Sequence, residues 1–305
     1  MEKFNILYLG DNRERYKSGN YYLDWLEAFK SLGNLICYGP GYLTKVDEIS
    51  NLKFDLIVFS HQFFDSYSIR TIRYFGLNIL KHRSTPSIIF SKNEYKKMKR
   101  RLILSWVFYN SVLVVYSKAS FEKYKNLKKN IHWAPFSPRS DFKNLEGERD
   151  IDFGFRGNSH FNFIGEKRIS FVNQIKNEFS SFKKDIRISK NGEDFIQGKN
   201  YINWLNSLKF IINTSSAMGI VNPKFSEAMA CGVISVSPEE DYEGLLEKNI
   251  HYVTVEMAKK LLSDKKLYES FLINYKKNSK DYLTKYNYVN QVKFICKNFL
   301  KIDSL

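Results

Sequence analysis

Cysteine is scarce in this sequence: three among 305 residues, at Cys37, Cys231 and Cys296. They lie far apart, are odd in number and lack metal-site spacing, which argues against a disulfide framework and implies a reduced, cytosolic setting. Long apolar runs are also missing. The longest, Ile103–Tyr116, is broken by Ser105, Asn110 and Ser111 and falls short of the ~20 residues a spanning helix needs. No membrane crossing is expected, and no signal peptide, because FNILYLG (Phe4–Gly10) already reads as a first core strand. HExxH, the Walker loop, GxSxG and GxGxxG are all absent, which removes several enzyme classes. Acids are outnumbered, 32 Asp and Glu against 48 Lys and Arg, for a formal net charge of +16. That balance favours polyanionic neighbours: nucleic acid, phosphorylated substrates or an anionic membrane surface. Lysines scattered for solvation alone are the plainer reading.

What is present suits a globular protein. The apolar share is 43% and the aromatic share 16%, enough for two α/β domains with their own cores. Short β-rich runs alternate with helical stretches, the pattern of parallel sheets with covering helices. In the first half the strands are expected at Phe4–Gly10, Leu35–Gly39, Phe54–Ser60, Pro86–Ser91 and Val112–Ser117. The rhythm restarts at Asp150–Gly157 and continues at Asp185–Ser189, Lys209–Ser215, Val233–Ser237 and His251–Val255. A polar segment, Pro135–Arg149, reads as the linker, and helices from about Met257 to Leu300 close the chain. Two doubly wound, Rossmann-like domains facing a cleft follow from this pattern. Their ligands belong just beyond the carboxyl ends of strands.

The chemistry concentrates in NPKFSEAMACGVISV (Asn222–Val236). Asn222 is a favourable N-cap and Pro223 suits the first helical position; the helix should run through Cys231 and stop at Gly232. Its N-terminus suits a diphosphate. Lys224 and Glu227, three apart, share a face, so Lys224 would meet phosphate while Glu227 accepts from ribose hydroxyls. A surface Lys–Glu pair on an ordinary helix is the alternative.

FSEAMACG followed by a β-run resembles the donor-binding segment of GT-B glycosyltransferases, in particular the group containing the spore-maturation CgeB-like proteins and the group 1 glycosyl transferases. YGPGY (Tyr38–Tyr42), SKNEYKKMKRR, WAPF (Trp133–Phe136) and DIDFGFRGNSHFNFIGEKR (Asp150–Arg168) are similar to segments of the same group. The resemblance implies residues 1–140 as an acceptor-side domain, 150–282 as the nucleotide-sugar domain, and 283–305 as a C-terminal helix packing back on the first. It implies a sugar transfer from a nucleotide-diphosphate donor to a cell-envelope glycan or lipid-linked acceptor, with no cofactor and no bound metal. One departure stands out: relatives of the retaining type carry a second glutamate upstream, and that position here is Gly219. Ser216, Met218 and Gly219 would then offer backbone and small side chains to the donor, beside Phe225 of the helix.

Further candidates follow the strand ends. Arg156 and Gly157 close a strand, and with Arg168 and Lys190 they are candidate diphosphate ligands. Gly10 and Asp11 follow the first strand and His61 the third; Asp11 or His61 would act as base toward the acceptor. Asp150 and Asp152 match a metal-binding DxD, but they precede a strand and are read as structural. The run KKMKRR (Lys96–Arg101) beside LILSWVFY suggests a peripheral site on the cytoplasmic face of an anionic membrane. A solvated helix face is the alternative. No nucleic acid is expected, since no reader motif accompanies the charge. A catalytically silent GT-B-like binding protein and a basic nucleic-acid-binding protein remain the alternatives to the enzyme.

Overall fold

A computed structural model describes residues 4–12, 23–61, 63, 79–91, 94, 98–158, 163–189, 196–216 and 219–302. The chain divides into two compact units, residues 1–135 with 288–305 and residues 136–287.

The first unit is built on six parallel strands: β1 (Asn5–Leu9), β2 (Asn34–Tyr38), β3 (Leu56–Phe59), β4 (Ser87–Phe90), β5 (Ser111–Val115) and β6 (Ile131–Trp133). Their order is β2-β1-β3-β4-β5-β6. Strands β3, β4 and β5 are buried along their whole length while edge strand β2 is only half-buried. This is why the central strands read as continuous Ile, Val and Phe runs. Helices α1 (Leu23–Lys30), α2 (Val46–Ser50), α3 (Met98–Val107) and α4 (Lys118–Tyr124) cover the sheet. Sequence reading misses β6, because Ile131-His132-Trp133 is short and interrupted by a polar ring. Its pairing with β5, Leu113 opposite Ile131, makes it a strand.

The second unit holds β7 (Ile151–Asn158), β8 (Lys184–Ser189), β9 (Leu208–Ile212) and β10 (Ile234–Val236), all parallel, in the order β10-β9-β7-β8. Its helices are α5 (Phe163–Glu178), α6 (Gly198–Asn206), α7 (Pro223–Ala230), α8 (Val255–Ser263) and α9 (Lys265–Lys285). The strand expected at His251–Val255 shrinks to two isolated parallel bridges, Val253 with Val236 and Tyr252 with Lys248. Helix α10 (Tyr288–Ile295) and a π-helical turn (Cys296–Leu300) belong to the first unit. There Trp25 is fully buried between Phe90 and Tyr288, with ring centroids 4.6 and 4.5 Å away.

Both sheets reverse direction beside their first strand: β1 lies between β2 and β3, and β7 between β8 and β9. In open α/β sheets the crevice outside the carboxyl ends at such a switch point is the ligand position.

Candidate active site

At the β7/β9 switch point the second unit gathers its charged groups. Asn222 caps α7 as its sequence suggests: its side-chain oxygen accepts from Lys224 N at 2.9 Å, and Pro223 occupies the first turn. The Asn222 amide in turn donates to Thr214 O, just beyond β9. The first-turn amides are therefore largely used, because proline has none, Asn222 takes that of Lys224, and Phe225 N bonds Asn222 O. An anion here would rely on side-chain cations and the helix dipole more than on free amides.

Those cations are in place. Lys224 Nζ donates to the carbonyl of Arg156 at the end of β7. Burial lowers its pKa from 10.5 to about 8; Glu227 opposes that shift and Arg168 adds to it. Arg168, on α5, donates from Nε to Thr214 Oγ1 at 3.2 Å and is itself largely desolvated. Glu227 lies one turn along α7 from Lys224. Burial raises its pKa, against the pull of the Lys224 ammonium and a 3.1 Å hydrogen bond donated by the Tyr201 hydroxyl. Tyr201, held well above its ordinary pKa by burial and by Glu227, stays a phenol and a donor. Two cations and one carboxylate of tuned charge thus share one strand edge.

The loop after β9 completes this edge. Ser215 donates to Glu240 at 2.8 Å, and Ser216 Oγ to Ile220 O at 3.0 Å. Gly219 has φ +71°, a left-handed backbone that a glutamate would adopt only with strain. The missing second glutamate therefore goes with a loop built around glycine.

Other expected donor residues have different tasks. The Arg156 guanidinium is buried, pairs with Asp185 and lies over the Trp204 ring at 5.2 Å. Trp204 Nε1 shares the same Asp185 oxygen at 2.9 Å. The backbone of Arg156, not its side chain, reaches the cluster. Gly157 is buried, and a Cβ there would lie 2.7 Å from the Phe155 ring. Phe225 is buried in the core, 5.1 Å from Tyr242. Lys190 and Met218 lie outside the described residues, as do Ser159, His160 and Lys96. Asp150 pairs with Lys183 and Asp152 with Lys209, at 2.7 and 2.8 Å, at the opposite end of β7. Among the described residues no group of three His, Cys, Asp or Glu is placed to hold a metal ion.

The first unit has its own switch point between β1 and β3, where Ser60 N bonds Leu9 O. Gly10 must be glycine there: a Cβ would lie 2.1 Å from Ser60 Oγ. Asp11 follows, buried, with neither carboxylate oxygen bonded to a described residue. It lies just beyond the carboxyl end of β1, at this switch point. His61, also buried, stacks on Phe90 at 4.5 Å, and its Nε2 hydrogen-bonds with the Tyr116 hydroxyl. Glu94 holds Tyr116 and Ser117 by accepting from both backbone amides. Tyr116, Thr214 and Glu94 were overlooked in the sequence, although Tyr116 and Thr214 lie just beyond strands. Tyr201 left no such signal, since its hydroxyl reaches Glu227 only through the packing of α6 beside α7.

The second unit decides the assignment. The family described as glycosyl transferase-like matches residues 153–296, nearly all of that unit. This chain has the fold of the GT-B glycosyltransferases. It is similar to Anabaena HepE in complex with UDP-glucose, at 12% identity and TM-score 0.57, over 98% of this chain and 100% of that one. T4 phage BGT in complex with UDP and Mn2+ is similar at 13% identity and TM-score 0.59, over 96% and 99%. A glycosyltransferase from Rickettsia africae aligns at 12% identity and TM-score 0.55, over 97% and 99%. No curated protein matches this chain.

Proposed function

We propose that the transferase takes its sugar from a nucleoside-diphosphate donor bound at the β7/β9 edge, and passes it to a cell-envelope glycan or lipid-linked acceptor on the cytoplasmic face of the membrane. The observation that carries this reading is the convergence of Arg168, Lys224 and Glu227 around the capped start of α7. Lys224 and Arg168 face the diphosphate and stabilise the charge that builds on it as the glycosidic bond to phosphate breaks, the dominant form of catalysis in such sites. Glu227, with Tyr201 behind it, accepts from the ribose hydroxyls. Ser216 and Gly219 line the sugar side. With two cations supplied by the protein, departure of the diphosphate needs no metal.

In this reading the second unit binds the donor and the first the acceptor, with Asp11 as the base that takes the acceptor hydroxyl proton. His61, already bonded to Tyr116, orients the same edge. The UDP complexes of HepE and BGT make uridine diphosphate sugars the first donors to test. No helix among the described residues is long and apolar enough to cross a membrane, so attachment would be peripheral.

Release of nucleoside diphosphate from a panel of nucleotide sugars tests the proposal. At least one donor should be turned over, if only by slow hydrolysis, and Glu227→Ala should slow it at sub-saturating donor. Turnover by the variant at the wild-type rate would remove Glu227 from the donor site.

A further inference from the structure

Helix α3 is apolar on the side where a surface helix is normally polar. Met98, Arg101, Leu102 and Ser105 are its buried residues. On the opposite face Ile103 is 55% exposed, Trp106 57% and Val107 39%, and Tyr109 just beyond is 62% exposed. Lys99 and Arg100 are exposed on the same face, one turn from Ile103. Arg101, expected in the sequence to belong to the basic surface run, is turned inward instead. The loop after α4 joins this region, since Lys128 Nζ donates to Ser105 O at 2.9 Å. Leu127 beside it is 60% exposed, flanked by exposed Lys125 and Lys129. Between Met98 and Asn130 eight Lys and Arg residues meet a single acid, Glu122.

We infer that this face of the first unit, Ile103, Trp106, Val107, Tyr109 and Leu127 within a basic surround, docks on an anionic lipid surface. Exposed tryptophan and tyrosine settle at headgroup depth, where an apolar ring body and a polar edge are both satisfied. The lysines and arginines supply the attraction to acidic headgroups. A second copy of this chain is the poorer occupant, because self-association would bring two like-charged surrounds together. Large apolar side chains exposed together on one helix face mark an interaction site. The inference rests on the peripheral attachment proposed above and gives it a surface.

The full chain should co-sediment with vesicles of phosphatidylcholine and phosphatidylglycerol, and much less with phosphatidylcholine alone, the binding falling as salt rises. Lys99→Gln with Arg100→Gln should weaken it roughly fivefold per charge removed. Ile103→Ser with Trp106→Ser should weaken it at least tenfold. These positions are exposed, so the melting temperature should hold, and nucleoside-diphosphate binding, read separately, should be unchanged. Loss of vesicle binding with nucleotide binding intact supports the docking face. Wild-type protein that ignores anionic vesicles at low salt, or variants that bind them as well as wild type, would overturn it whatever the fate of the donor site. So would a dimer dissociated by the serine variants, or RNA or DNA bound in preference to vesicles.

Discussion

Lys224 and Glu227 hold each other's charge one helical turn apart, and the proposed donor site rests on that pair. With its pKa lowered to about 8 by burial, Lys224 is mostly an ammonium at neutral pH and loses its proton just above. The sign follows. A bound diphosphate favours the protonated form, so binding takes up a proton once the free lysine begins to deprotonate. Nucleotide affinity should be flat below about 8 and then fall by up to about tenfold per pH unit, the limit for one proton. Without ligand, the desolvated ammonium is a burden that starts to lift as pH rises above about 8 and is gone only above the ordinary lysine value of 10.5, so stability rises with pH across that window. Lys224→Arg should abolish the pH dependence of binding, as measured by calorimetry between pH 7 and 9; an unchanged profile would remove Lys224 from the diphosphate. At this scale the residues were legible where the chain's local grammar placed them: Asn222, Pro223, Lys224 and Glu227 all stand in one short segment. The task of Arg156 was not, because its partner Asp185 comes from a neighbouring strand and nothing in RGNSH announces that pairing.

At the scale of elements, α7 is fixed at both ends. Asn222 ties its start to the end of β9, and Arg149 binds Cys231 O and Leu208 O at 2.7 Å each beyond its finish. The cation at the helix C-terminus complements the dipole there. Asn222→Ala should cost about 1 kcal/mol of unfolding stability through the lost cap, measured by urea denaturation, and should weaken nucleotide binding as the first turn frays. Gly219→Ala tests the neighbouring loop. Among the described residues nothing lies within 4 Å of a Cβ there, so its cost should be the conformational one alone, about 1 kcal/mol. The strands and α7 were readable because buried parallel strands are continuous apolar runs and capped helices carry their own punctuation. β6 was not, for its three residues are a strand only by pairing with β5. Arg149 looked like the end of a polar linker, yet it is held by two carbonyls and the Asn144 side chain.

For the whole molecule, the chain ends where it began. Helix α10 packs with α1 in the first unit, and Trp25 is buried between Phe90 and Tyr288. Trp25→Ala should destabilise that unit by about 3–5 kcal/mol, lowering the first transition in calorimetry while leaving nucleotide-linked stabilisation of the second unit in place. A uniform loss across both transitions would contradict this division. The doubled α/β rhythm was legible from the first and second halves of the sequence, and so was the capped helix that starts at Pro223. The return of the C-terminus was implied only by resemblance, since nothing local in YVNQVKFI tells which unit it will join. The proposed donor site stands or falls on whether the β7/β9 edge of the second unit binds a nucleoside diphosphate. Isothermal titration of wild-type protein, Lys224→Gln and Glu227→Ala with a panel of nucleoside diphosphates measures this. At least one nucleotide should bind the wild type, and each variant should weaken it about tenfold or more, the scale of a lost charged hydrogen bond. A panel that fails to bind, or binds all three proteins alike, would contradict the proposed site.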